Sequence, residues 1–259
     1  MKILRLGSSN DTVEQFVAGE PRERVIQREL ERQLQEPVTV VTRRIWPTER
    51  FPELLSRWLD EEDPDIVTVP VIGYWFNFES VPLRLQRRLG RFGERLGSTG
   101  KRAADVPWLG HNAAFRAVRD VAQRTVGGET YFTCDQVISC VEQIVREVVR
   151  REGIGLIIQG PFGGQHLSGN SRRAVAREER GRLVVNAGIR EICRAHQVTF
   201  IEHVVNRRLK GTAFSTIGDG LHMDETGQLA SALEWAAIIV DEVHRLRGND
   251  SEQVDRYVT

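Results

Sequence analysis

The chain reads as an α/β protein, a three-layer α/β/α sandwich built on a five-stranded parallel sheet, and three observations lead there. Short β-branched runs alternate with stretches of helical periodicity, the pattern of a parallel sheet covered by helices. The 259 residues suffice for one α/β domain with a large core, and residues 1–259 read as a single domain. The stretch at about 76–132 is too long for a simple connection, so it reads as a helical insertion after the third strand.

Taken in order, the strand segments are 2–6, 38–42, 65–71, 154–159 and 198–202. Between the first two, Val25, Ile26, Leu30 and Leu34 recur at helical spacing, and Leu54, Leu55, Trp58 and Leu59 do so before the third. In 137–149, Val137, Ile138, Val141, Ile144, Val145, Val148 and Val149 trace one face. The last helix is expected from Asp224, an N-cap, through Leu229, Leu233, Ala236, Val240 and Val243. Within the insertion, Leu85, Leu89, Phe92 and Leu96 form an apolar stripe ringed by Arg84, Arg87, Arg88, Arg91, Arg95, Lys101 and Arg102. That helix is a solvated basic face packed on the core, a lid, an oligomer contact, or a surface for an anionic substrate or lipid.

Thirty-six basic and 36 acidic residues cancel, which removes the global electrostatic case for nucleic acid or a membrane as the main partner. Cys134, Cys140 and Cys193 are odd in number and lack Cys-x-x-Cys spacing, arguing against a disulfide framework and a zinc site and for reduced, buried thiols. No cluster of His and carboxylate stands at metal-ligand spacing, so neither metal nor cofactor is expected. The first residues read as a core strand with no leader before it, and no apolar run approaches a membrane span, so a soluble cytoplasmic protein without a stable membrane anchor is expected. The insertion's apolar stripe makes a homodimer an open expectation.

Two short motifs at opposite ends carry chemistry. Gly7-Ser8-Ser9-Asn10 follows the first strand, and Asp219-Gly220-Leu221-His222 precedes the last helix. In an open parallel sheet, ligands collect at the carboxyl ends of strands. A serine hydroxyl there needs a base beside it and a third group to hold that base in the right tautomer. Ser9, His222 and Asp219 supply all three, because a carboxylate three residues before the imidazole in a turn can reach Nδ1–H and leave Nε2 facing the cleft. The competing reading is an ordinary polar strand-to-helix turn and a structural histidine.

On these residues the chain resembles the SGNH, or GDSL-type, hydrolase superfamily. Gly7-Ser8-Ser9-Asn10 stands where members carry Gly-Asp-Ser or Gly-Gln-Ser-Asn, and Asp219 to His222, followed by Thr226-Gly227 and an alanine-rich helix, is the most specific match. Pro64 to Val69 looks like the family's third strand, and Val185 to Ile192 with Val198 to Ile201 like its penultimate helix and last strand. The resemblance implies a flavodoxin-like fold and ester hydrolysis through an acyl-enzyme. It also implies an oxyanion hole from the Ser9 amide, a glycine amide after the second strand and an asparagine after the third.

Two departures stand out. No glycine occurs between Gly19 and Gly73, so the second amide falls to the 44–46 turn, with Ile45 at its centre. The third-strand block reads Gly73-Tyr74-Trp75-Phe76-Asn77, putting the asparagine at Asn77, two positions late, where it could equally cap a local turn. Tyr74, Trp75, Phe162, Gly163 and His166 are expected to line the substrate pocket, though the aromatic residues from Tyr74 to Phe78 could be core under the insertion. An interior Gly-x-Ser-x-Gly elbow is missing, and Gly153-Ile154-Gly155 precedes its strand, which sets aside the α/β-hydrolase and dinucleotide-binding readings. The expected function is therefore a serine esterase acting on a small-molecule, lipid or carbohydrate ester. An acyltransferase with the same triad and a catalytically silent binding protein of the same fold are the alternatives.

Overall fold

Strand β1 (Lys2–Gly7) is buried from Ile3 to Gly7, as a central strand covered on both faces must be. The computed structural model describes residues 1–8, 11, 19–45, 50–80, 83, 84, 87, 88, 128–162, 172–202 and 223–248. Along these run α1 (Arg22–Leu34), β2 (Thr39–Arg44), α2 (Phe51–Glu62), β3 (Ile66–Pro70), α3 (Tyr74–Asn77), α4 (Cys134–Val149), β4 (Gly155–Gln159), α5 (Arg172–Ala195), β5 (Thr199–Ile201) and α6 (Glu225–Leu246). The strands form one parallel sheet in the order β2-β1-β3-β4-β5. Leu4 and Leu6 of β1, with Val67, Val69 and Ile158, meet α2, α4 and α5 through Leu55, Leu59, Val141, Ile144 and Ile189. Ile3, Ile66 and Ile157 point the other way, onto Val25, Ile26 and Leu30 of α1 and Trp235, Ala236 and Ile239 of α6. Adjacent side chains along a strand thus serve opposite cores, as the pleat requires.

Each of the five expected strands is present with ends shifted by at most two residues. Helix α4 begins earlier than its apolar stripe, at Cys134, because Thr133 and Gln136 form a reciprocal capping box: Thr133 Oγ1 accepts from the Gln136 amide at 3.2 Å and Gln136 Oε1 from the Thr133 amide at 2.8 Å. Asp224 caps α6 as expected, accepting from the Gly227 amide at 3.0 Å. The face of α6 matches expectation only in part: Ala236, Val240 and Val243 are buried as expected, but the two leucines are not. Leu229 and Leu233 are 47% and 44% exposed, and the buried stripe runs through Ala232, Trp235, Ala236, Ile239 and Val243. So apolar a helix fits more than one periodic stripe, and its small residues are what let it close on α1 and the sheet. The thiols are all free, but only Cys193 is buried, with Cys134 and Cys140 half-buried. Among the described residues no helix is long and apolar enough to cross a membrane.

The base of the insertion is closed by an antiparallel pair in which the Ser80 amide donates to Glu129 O at 2.9 Å and the Glu129 amide to Ser80 O at 3.1 Å. Arg87 adds an ion pair to Glu129 and donates to the Tyr131 carbonyl. The stripe from Leu85 to Leu96 lies outside the described residues.

At the carboxyl end of β4, the Gly160 amide donates to Ile201 O at 2.8 Å and continues the ladder to β5. A Cβ at Gly160 would stand 2.2 Å from Asn186 Oδ1 and 3.2 Å from the Phe200 ring. Asn186 is buried and bonded to Glu202, so it has little room to retreat. Gly160→Ala is expected to lower stability by about 1–3 kcal/mol, read as a lower urea midpoint with an unchanged slope.

Candidate active site

The chain leaves β1 for the edge strand β2 and then crosses back to β3, so the strand order reverses between β1 and β3. At such a switch point the loops leaving two adjacent strands part and open a crevice at the carboxyl end of the sheet. The loops flanking it begin at Ser8 and Val71, the positions from which the Ser9 and Asn77 motifs depart.

What holds the β1 loop is a buried ion cluster. Arg5 points from the middle of β1 toward α1 and α6, at a register position where the alternation calls for an apolar side chain, and is 2% exposed. Its Nη1 lies 2.5 Å from Asp11 Oδ1, and Arg22 Nη2, from the first residue of α1, lies 2.5 Å from the same oxygen. The other carboxylate oxygen accepts from the Ser8 amide at 2.7 Å and from the Ser8 hydroxyl at 3.2 Å. Arg22 reaches further: Nη1 donates to Ser231 Oγ of α6 at 2.9 Å and approaches Met223 Sδ at 3.7 Å. The Arg5 guanidinium sits 5.9 Å from the centroid of the Trp235 ring, within range of a cation–π contact.

Burial alone would push the Asp11 carboxyl up, but the opposing fields of Arg22 and Arg5, with the bonds from Arg5 and Ser8, hold it down at about 2. Asp11 is therefore an anion at any physiological pH and too weak a base to take a proton from serine. Burial pulls Arg22 down to about 10 against the raising field of Asp11, which still leaves it a cation. Cys140 and Cys193 are pushed up by burial to about 11 and about 12, so neither thiol is a nucleophile at neutral pH.

Gly7 is required by close approach. The loop curls back on it, with the Asp11 amide donating to Ser8 O at 3.1 Å, so a Cβ at Gly7 would sit 2.7 Å from Asp11 Cβ and 2.8 Å from Thr42 Cγ2. Gly7→Ala is expected to displace the loop and to lower stability by about 1–3 kcal/mol, read as a lower urea midpoint.

The other expected site residues divide. Ser9, Asp219, His222, Gly163 and His166 lie outside the described residues. Ile45 requires correction as an oxyanion donor: its single N–H is donated to Gly7 O at 2.9 Å, extending the β1–β2 ladder by one residue. Asn77 Nδ2 donates to Glu178 O at 3.2 Å, tying α3 to α5. Trp75 is 4% exposed and belongs to the core with Phe76, so its expected contact with substrate gives way to packing under α3. Tyr74 is half-buried and stacks on Phe78 with ring centroids 4.4 Å apart, and Phe162 is half-buried just after β4.

The ion cluster escapes sequence reasoning, although one signal points to it. An arginine at a core-facing position of a central strand demands a buried carboxylate, and Asp11 is the nearest acidic residue in the chain.

No family model and no curated protein matches the sequence. Solved structures do. A catalytic mutant of the acetylxylan esterase Axe2 from Geobacillus stearothermophilus is 15% identical with a TM-score of 0.50, the match covering 91% of this chain and 93% of that one. A family 3 carbohydrate esterase from Clostridium thermocellum is 14% identical with a TM-score of 0.47, covering 97% and 99%. An aryl esterase from M. smegmatis is 13% identical with a TM-score of 0.47, covering 93% and 99%. At 15% identity the likeness to the Geobacillus esterase shows the fold alone. The five-stranded parallel α/β/α sandwich, which the resemblance to SGNH hydrolases also implied, is the fold of this chain.

Proposed function

We propose that the protein is a serine esterase that cleaves a carboxylic ester through an acyl-enzyme. The observation that carries this reading is the Arg22 guanidinium, which touches the Asp11 carboxylate on one side and Met223 on the other. Ser9 lies two residues before Asp11, and His222 is bonded directly to Met223. Consecutive Cα atoms are about 3.8 Å apart, so one side chain gathers the two chain segments that carry the nucleophile and the base. The fold shared with the Geobacillus acetylxylan esterase supports the same reaction class. Between the two serines, Ser8 has its hydroxyl on Asp11, which leaves the attacking role to Ser9.

In this mechanism Ser9 Oγ attacks the ester carbonyl carbon while His222 Nε2 takes its proton. Asp219 holds the imidazole through Nδ1–H and stabilises the imidazolium. As the carbon–oxygen bond to the alcohol breaks, His222 returns the proton to the leaving alkoxide. A water then attacks the acyl-serine with His222 again as base, releasing the acid and restoring Ser9. The Ser9 amide, the Trp46 amide of the 44–46 turn and the Asn77 side chain hold the oxyanion, while Tyr74, Phe162, Gly163 and His166 shape the pocket. The free thiols suit a reducing compartment, and the reading places the protein in the cytoplasm.

The test is a screen of p-nitrophenyl esters of graded chain length, run beside Ser9→Ala. Turnover by the wild type with loss in the variant supports the reading, and equal rates from both refute it.

A further inference from the structure

Arg22 occupies an unfavourable place. It is a cation at the positive end of α1, 6% exposed, beside a second buried cation. Ion triads of this kind are replaceable by apolar side chains with little or no loss of stability, so stability alone does not account for the arrangement. Its geometry does have a consequence for the loop. Asp11 uses one oxygen for both guanidinium groups and the other for Ser8, so the backbone just before Ser9 is fixed relative to β1. Arg22 is bonded at the same time to Ser231 and Met223, which fixes the second turn of α6 and the residue after His222 to the same anchor.

We propose that the Arg5–Asp11–Arg22 triad is the positioning device that sets the nucleophile against its base, with Asp11 orienting the Ser9 loop and Arg22 tying that loop to the His222 segment. The proposal rests on the serine-esterase reading. None of the three residues is a catalytic group; each acts through the placement of Ser9 and His222, for which about 0.5 Å matters.

Two variants separate positioning from folding. Arg22→Lys keeps the charge, but one ammonium cannot hold Asp11, Ser231 and Met223 in the geometry of a planar fork. Its expected kcat for p-nitrophenyl acetate, per folded molecule by circular dichroism, falls about 10- to 100-fold with KM within about threefold. The rate of labelling by a fluorophosphonate should fall by the same factor. A triple variant, Arg5→Met with Asp11→Leu and Arg22→Met, restores an apolar cluster; its Tm is expected near that of the wild type and its labelling slowed at least about tenfold. Wild-type kcat and labelling rates in either folded variant overturn the positioning role while leaving the esterase reading intact. A wild type that fluorophosphonate does not label overturns the esterase reading and this proposal with it.

Discussion

Ser9→Ala is expected to lower kcat against p-nitrophenyl esters by about 10⁴- to 10⁶-fold, leaving only the acceleration that oxyanion donors and binding supply on their own. The size of the effect follows from the chemistry. In the proposed mechanism, removing the hydroxyl removes the covalent intermediate and leaves His222 only water to activate. Ser8→Ala should behave differently. The Ser8 hydroxyl meets the buried Asp11 carboxylate at 3.2 Å, while the stronger hold on that carboxylate comes from the Ser8 amide at 2.7 Å, which alanine keeps. A loss of less than about tenfold is expected there, so the pair of variants discriminates nucleophile from anchor in one assay.

Asp11→Asn carries the largest expected effect on stability. It leaves Arg5 and Arg22 as buried cations without an anion, since both bond to Asp11 Oδ1 with side chains 3% and 5% exposed. Breaking a buried pair from one side costs about 3–5 kcal/mol, and in a domain of this size about 2–4 °C of Tm follows each kcal/mol. Thermal unfolding should therefore show a fall on the order of 10 °C. The pH dependence has a definite sign. The Asp11 carboxyl titrates at about 2 in the folded protein against an ordinary 3.8, so its contribution is complete above pH 4 and is lost as pH falls from about 4 to about 2. Wild-type stability should drop by about 2–3 kcal/mol more than that of Asp11→Asn across that window, measured by urea titration at each pH.

The contrast between fold and site shows what a sequence makes legible. Strands β1, β3 and β4 are largely apolar runs bounded by turn residues, and Asp224 is a local cap, so their positions are written in consecutive residues. Helix α6 is legible as a helix and its facing is legible at Ala236, Val240 and Val243, but not at its first turns, where Leu229 and Leu233 compete with the Ala232 and Trp235 positions and only the packing partner decides. The ion triad joins residues 5, 11 and 22 to a thioether at 223, and no period or motif links positions so far apart. Only the misfit of Arg5 in an otherwise apolar strand announces it. Ile45 is illegible as a ladder residue because a missing glycine says nothing about where the neighbouring N–H groups go, and the bond to Gly7 takes that one.

Esterase chemistry in this chain requires the loop after β1 to present a serine nucleophile activated by a histidine brought from the other end of the chain. Reaction of the folded protein with a fluorophosphonate, followed by mass-spectrometric mapping of the adduct, tests it directly. One adduct is expected, on the hydroxyl of Ser9, and its formation should slow at least about a hundredfold in His222→Ala. An unmodified Ser9 in folded wild-type protein, or an adduct there that forms equally fast without His222, would contradict it.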